Sequence, residues 1–147
     1  MKIQLPKSRT ASIRVLQVSD KDSLYHYLQN LSAESRSQFG PHSFDQQTIN
    51  SICEQPDKDT QRYIALDESS SVIVAYMLIK QGLIEADHQR YAQRNQFYEH
   101  SMTVTYAPSV ADDRQSSGPG TAMLSIIENE LKNRGIRHIV LWGRLPI

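Results

Sequence analysis

The chain has 147 residues, enough for one domain that buries about two thirds of its unfolded surface. Its 16 lysines and arginines balance 16 aspartates and glutamates, which removes the global positive field of a nucleic-acid binder or of a protein drawn to an anionic membrane. A single cysteine, Cys53, rules out an internal disulfide and makes a reducing, cytoplasmic setting the expected one.

The N-terminus, Met1 to Lys7, lacks the apolar stretch of a secretory signal, and no window is long and apolar enough to span a membrane. Residues 12 to 18 are rich in apolar and β-branched side chains and predict a first strand. Ser19, with Asp22 three positions on, is expected to cap a helix whose buried face carries Leu24, Tyr27, Leu28 and Leu31. Asn30-Leu31-Ser32 matches a glycosylation tripeptide, which is common by chance and carries no argument. Gly40-Pro41 breaks the chain, and Ser43 with Gln46 predicts a second cap ahead of Ile49, Ile52 and Cys53. After a turn at Pro56 to Asp59, a strand is predicted over Gln61 to Leu66 and a hairpin connection over Asp67 to Ser71. The near-continuous apolar run Val72 to Ile79 reads as a sheet-centre strand.

Lys80 to Gln96 turns polar and reads as a long loop carrying His88, Arg90, Tyr91 and Arg94. A strand is expected over Phe97 to Tyr106, with Pro108 marking a bulge or lost pairing near its end. Pro119 suits the first position of a helix faced by Met123, Leu124, Ile127 and Leu131, which Gly135 stops, and His138 to Trp142 makes a final strand. The order β-α-α-β-β-β-α-β requires a right-handed crossover between the last two strands, which are then parallel, while the earlier strands form an antiparallel meander.

Several chemistries are absent from the sequence. There is no Gly-x4-Gly-Lys-Ser/Thr phosphate loop, no His-Glu-x-x-His and no Gly-x-Ser-x-Gly elbow, and the histidines at 26, 42, 88, 100 and 138 lack metal-ligand spacing. No metal is expected. A dinucleotide fold fails as well, because the third glycine and the ribose-binding carboxylate are missing. What remains is Arg114-Gln115-Ser116-Ser117-Gly118-Pro119-Gly120, set between a strand and a helix. Small residues there let main-chain N–H groups converge at a helix start, which suits an anion such as a pyrophosphate.

Gln115, Gly118 and Gly120 match Gln/Arg-x-x-Gly-x-Gly/Ala, and with the element order from residue 12 to 142 the chain resembles the GNAT superfamily of acetyl-coenzyme-A-dependent N-acetyltransferases. The resemblance implies a mixed, mostly antiparallel α/β sheet flanked by helices, in a single domain over residues 1–147. Acetyl-CoA is the implied cosubstrate and an amine of a small molecule or protein the acceptor. Main-chain amides of Gln115, Ser116, Ser117, Gly118, Gly120 and Thr121 are implied to hold the pyrophosphate, with Pro119 removing one donor and weakening that hold. Ser109, Val110 and Ala111 are implied to face the pantetheine arm between the splayed parallel strands.

Direct attack of the amine on the thioester is the implied chemistry, with Glu99 the candidate base and Tyr106 a second candidate for proton transfer. The segment Lys80 to Gln96 is implied to border the acceptor. Relative to the family pattern the chain reads as C-terminally shortened, without the last helix and two strands. That predicts an exposed final strand covered in a homodimer over Ile139 to Trp142. Two other readings are a non-catalytic coenzyme-A-binding or regulatory module and a structural interaction protein, which coenzyme affinity and turnover separate.

Overall fold

A computed structural model describes residues 2–5, 9–114 and 119–142. Eleven principal elements follow in chain order: β1 (Lys2–Leu5), β2 (Arg9–Val15), α1 (Lys21–Gln29), α2 (Ala33–Gln38), α3 (Gln46–Glu54), β3 (Thr60–Asp67), β4 (Ile73–Gln81), α4 (Glu85–Ala92), β5 (Thr103–Val110), α5 (Pro119–Asn133) and β6 (His138–Leu141). The strands form one sheet in sequence order, β1-β2-β3-β4-β5-β6. Every neighbouring pair is antiparallel except β5 and β6, which run parallel and are joined through α5. The expected meander and crossover are both present.

Two cores separate the faces of this sheet. On one, Met123, Ile127 and Leu131, four residues apart along α5, pack on Ile13, Met77 and Val104. On the other, Leu24 and Leu28 of α1 and Ile49 and Cys53 of α3 cover Ile64, Tyr76 and Leu78. Each fully buried leucine or isoleucine contributes about 1.5–3 kcal/mol. β4 is buried on both faces from Ile73 to Ile79, which is why it reads as an unbroken apolar run.

Several local expectations are corrected. The first strand ends at Val15, and a 3-10 turn over Val18–Asp20 replaces a helix start at Ser19. Asp20 organises that turn, its carboxylate accepting from the Gln17 N–H at 2.7 Å and from both Arg14 Nη atoms at 2.6 and 2.7 Å. Asp45, not Ser43, caps α3, accepting from the Thr48 N–H at 3.2 Å, while Ser43 donates to Asp45. The supposed loop Lys80 to Gln96 contains α4. β5 begins at Thr103, later than Phe97, so Glu99 lies outside the strand and ahead of a 3-10 turn over His100–Met102. Pro108 sits inside β5 in register with Met77, and the ladder's irregularity falls instead between Ala65 and Leu66. Gly135 ends α5 at φ 84°, the left-handed geometry that favours glycine.

Candidate active site at the open end of the parallel strands

β5 and β6 stay paired only from Thr103↔His138 to Tyr106↔Leu141, with the Trp142 N–H donating to the Tyr106 carbonyl at 2.7 Å. β5 runs on past that point to Val110, held by β4 alone among the described strands. Odd-numbered residues of β5 turn their main-chain groups toward β4, as the Gly82 N–H to Thr103 carbonyl and Ala111 N–H to Val74 carbonyl bonds at 2.8 Å show. Even-numbered residues turn theirs toward β6. Pro108 therefore has its missing N–H on the open side, where β4 loses no bond. Of the three residues expected along a pantetheine arm, Val110 turns its main chain away from β4, whereas Ser109 and Ala111 turn theirs toward it.

The side chain of Ser109 has a different task. Its hydroxyl donates to the Tyr76 carbonyl at 2.8 Å, leaving it to accept from the Tyr27 hydroxyl of α1 at 3.1 Å. Burial pushes the Tyr27 phenol well above its usual range, so it remains a donor. Just beyond β5, a 3-10 turn over Asp112–Arg114 is pinned by the Asp112 carboxylate, which accepts from the Ser32 N–H at 3.0 Å and the Ser35 hydroxyl at 2.8 Å. The Ser35 bond leads in holding the Asp112 carboxyl below its ordinary range. A cleft of about 420 Å³ opens here, bordered by Tyr27, Asn30, Ile73, Ala111 and Asp112.

Pro119 is the first residue of α5, as its fixed φ predicts, and Gly120 and Thr121 follow in the first turn. Main-chain N–H groups at this position have no partner inside the helix. Gln115, Ser116, Ser117 and Gly118, expected to complete the cradle, lie outside the described residues.

Glu99 and Tyr106 are not brought together at the open end. Glu99 is exposed and precedes β5, so the length of the strand, about 23 Å at ~3.3 Å per residue, separates it from Val110. Tyr106 is 3% exposed in the α5-side core, and burial pushes its phenol up to about 12. In the segment expected to border the acceptor, Arg90 pairs with Asp87 at 3.0 Å and lies 5.0 Å from the Tyr91 ring centroid. Edge-to-face contacts then run from Tyr91 to Tyr98 at 5.1 Å and from Tyr98 to His138 at 4.8 Å, tying α4 to the start of β6.

The α1–α3 face holds a second polar group that no sequence motif marks. His42 donates from Nδ1 to the Ser43 carbonyl at 2.8 Å and accepts at Nε2 from the Tyr76 hydroxyl at 2.9 Å. Burial lowers the His42 pKa and favours this neutral form. Behind Tyr76 stands Arg62, 8% exposed, beside a pocket of about 290 Å³ that reaches Trp142. Among the described residues no cluster of three or more histidine, cysteine, aspartate or glutamate side chains is placed to hold a metal, and no helix is long and apolar enough to cross a membrane.

A mixed sheet whose one parallel pair is joined through a helix defines the chain as an α/β domain. More particularly, it has the fold of the GNAT N-acetyltransferases. The GNAT domain of S. lividans PAT superposes with a TM-score of 0.73 at 19% identity, over 96% of this chain and 76% of that one. A ribosomal-protein-S5-alanine acetyltransferase from Vibrio fischeri gives 0.67 at 11% identity, over 96% and 73%. A ribosomal-protein-alanine N-acetyltransferase from Brucella melitensis biovar Abortus 2308 gives 0.59 at 13% identity, over 89% and 79%. No family model matches the chain, and no curated protein matches it in sequence.

Proposed function

We propose that this protein is a GNAT-family N-acetyltransferase that moves an acetyl group from acetyl-CoA to a primary amine by direct attack in a ternary complex. The observation that carries the reading is that β5 runs on from Ala107 to Val110 past its described pairing with β6 and leads into a 3-10 turn over Asp112–Arg114, with α5 beginning at Pro119. The pantetheine arm runs along the side of β5 that faces away from β4, beside Val110, with Ser109 and Ala111 fixing the strand from behind. The pyrophosphate rests on the amides from Gln115 to Thr121 at the positive end of α5.

In the reaction the amine nitrogen bonds to the thioester carbonyl carbon and the carbonyl oxygen takes the negative charge. The C–S bond then breaks, a proton leaves the nitrogen, and the thiolate of coenzyme A is protonated. Isothermal titration with coenzyme A tests the premise, and thiol release across an amine panel tests turnover. No coenzyme binding at millimolar concentration overturns the proposal.

A second reading, a non-catalytic coenzyme-A-binding or regulatory module, is favoured by one observation: Tyr106 is buried and Glu99 stands at the far end of β5, so neither supplies a proton carrier at the opening. Coenzyme binding without thiol release across the panel selects it. We also propose a homodimer through β6, whose Ile139 and Leu141 are 37% and 63% exposed, and a cytoplasmic setting consistent with one buried free cysteine. Light scattering that gives a monomer at high protein concentration overturns the dimer.

A further inference from the structure

The pocket beside Arg62 borders the end of the described pairing between β5 and β6. Trp142, whose N–H marks that point on the Tyr106 carbonyl, forms one wall, with Leu78 below and Arg62, Lys80, Asp57 and Asp59 around it. The two cations come from the sheet, Arg62 on β3 and Lys80 on β4. Both carboxylates come from the exposed connection between α3 and β3.

Arg62 is more than nine-tenths buried, yet neither its Nε nor its Nη1 has a hydrogen-bond partner among the described residues. Its one ion-pair contact, Nη2 to Asp57, spans 3.5 Å, and that carboxylate is 67% exposed. A charge-assisted guanidinium–carboxylate bond is shorter, about 2.7–2.9 Å, so Asp57 neutralises Arg62 loosely without satisfying it. Lys80 is held more tightly, by Asp59. The Tyr76 hydroxyl, which donates to a neutral His42, is close enough to Arg62 to accept from it, but it is uncharged, so neither residue brings a second negative charge to the guanidinium and Nε and Nη1 stay open.

A buried guanidinium with open donors is costly for a purely structural residue and suited to an incoming planar or tetrahedral anion. We propose that Arg62 is the anion anchor of the acceptor pocket, so that the amine substrate carries a carboxylate or phosphate which displaces Asp57. This rests on the acetyl-transfer reading for the identity of the reaction, but the anion site itself does not need the coenzyme. The amine end of such a substrate extends past Trp142 toward the open side of β5. With adjacent strands about 4.8 Å apart, β3 and β5 are separated by about 10 Å, which favours acceptors whose anion and amine are several bonds apart over compact α-amino acids.

Binding of glutarate and of inorganic phosphate to the full chain, measured by NMR titration without coenzyme, is the test. Saturable binding of either probe at millimolar concentration is expected, and which one binds more tightly assigns the anion. Arg62→Met is expected to weaken it by about tenfold or more, the loss that charge-assisted hydrogen bonds imply. Asp57→Asn removes the competing carboxylate and is expected to tighten it several-fold. Absence of saturable binding, or the same affinity in Arg62→Met, overturns the proposal. If Arg62→Met does not fold, unchanged or weaker binding by Asp57→Asn overturns it.

In turnover, wild type is expected to prefer ω-amino acids over their methyl esters by about tenfold in kcat/KM, with Arg62→Met erasing the preference. Coenzyme titration separates the two claims. Anion binding without coenzyme binding removes the acetyltransferase reading and leaves the site, whereas coenzyme binding without anion binding removes the site alone.

Discussion

Ser109→Ala tests how the open end of β5 is held. The Ser109 hydroxyl links the Tyr76 carbonyl and the Tyr27 hydroxyl, at 2.8 and 3.1 Å. The Tyr76 carbonyl also faces the Ser109 main chain in the antiparallel ladder, so it keeps a partner in the variant. Tyr27, 6% exposed, does not. A lost neutral hydrogen bond contributes about 0.5–1.5 kcal/mol, and a buried hydroxyl left without a partner costs about 1–3 kcal/mol. The two terms overlap, so the expected loss is about 2 kcal/mol, a fall in Tm of roughly 4–8 °C for a chain of this size.

Urea unfolding should show the loss as a lower midpoint at unchanged slope. Tyr27→Phe removes the stranded hydroxyl itself and should cost less, about 0.5–1.5 kcal/mol. In the double variant no phenol is left unpaired, so its loss should fall short of the sum of the singles by about 1 kcal/mol. Strict additivity refutes the link between α1 and β5.

Three further perturbations address the turn, the buried histidine and the proton carrier. Asp20→Asn should cost about 1.5 kcal/mol by urea unfolding, the low end for a hydrogen-bonded charge because Arg14 is 35% exposed and regains water. Arg14 first, and Gln17 after it, hold the folded Asp20 pKa below its usual value, so this stability is present above about pH 3.9 and lost as pH falls toward the folded pKa; an equal slope in Asp20→Asn sinks the assignment. Burial lowers the folded His42 pKa, so the unfolded chain takes up the proton first and stability should decline as pH falls below about 6.5; Tm measured from pH 7.5 to 5 should lose that component in His42→Gln. Glu99→Gln should leave turnover close to wild type, since Glu99 is exposed and β5 lies between it and Val110, and a large fall in turnover with coenzyme affinity intact returns Glu99 to the mechanism.

Which elements could be read in advance follows from where their stability comes from. β4 and α5 announce themselves because burial imprints an apolar run on one and a four-residue spacing on the other. α2 has no buried residue, and its sequence Ala-Glu-Ser-Arg-Ser-Gln gives no apolar stripe; the Asp112 carboxylate meets its first turn from 77 residues away. α4 is also without a buried residue and leans on the ring contacts through Tyr98 to His138. The start of β5 is hard to read because Phe97 and Tyr98 look strand-like, whereas its fully buried positions include the threonines at 103 and 105. Phe97 is 71% exposed, and Thr105 is accommodated by donating to the Gly82 carbonyl at 2.7 Å. The burial of Arg62 could not be read in advance: in a strand where alternate residues usually face water, nothing local tells that an arginine is buried beside a pocket that Pro41 and Trp142 also line.

The geometry at the opening also accounts for how weak a trace it leaves in sequence. Two side-chain cores lie on opposite faces of the sheet, and the stretch of β5 beyond its described pairing with β6 lies in the plane between them. An arm that pairs along β5 meets main-chain groups, and a phosphate at the start of α5 meets amides, so neither contact specifies a side chain. Such a site would need only residues that leave the backbone accessible, as small residues such as Ala107 do. On the proposed reading acceptor recognition has no such freedom, because discrimination among amines would come from side chains on the α1–α3 face. Substitutions there, above all at Arg62 and Trp142, should therefore change which amine is used while coenzyme affinity stays near its original value, and a parallel loss of both would place the two ligands on one shared surface.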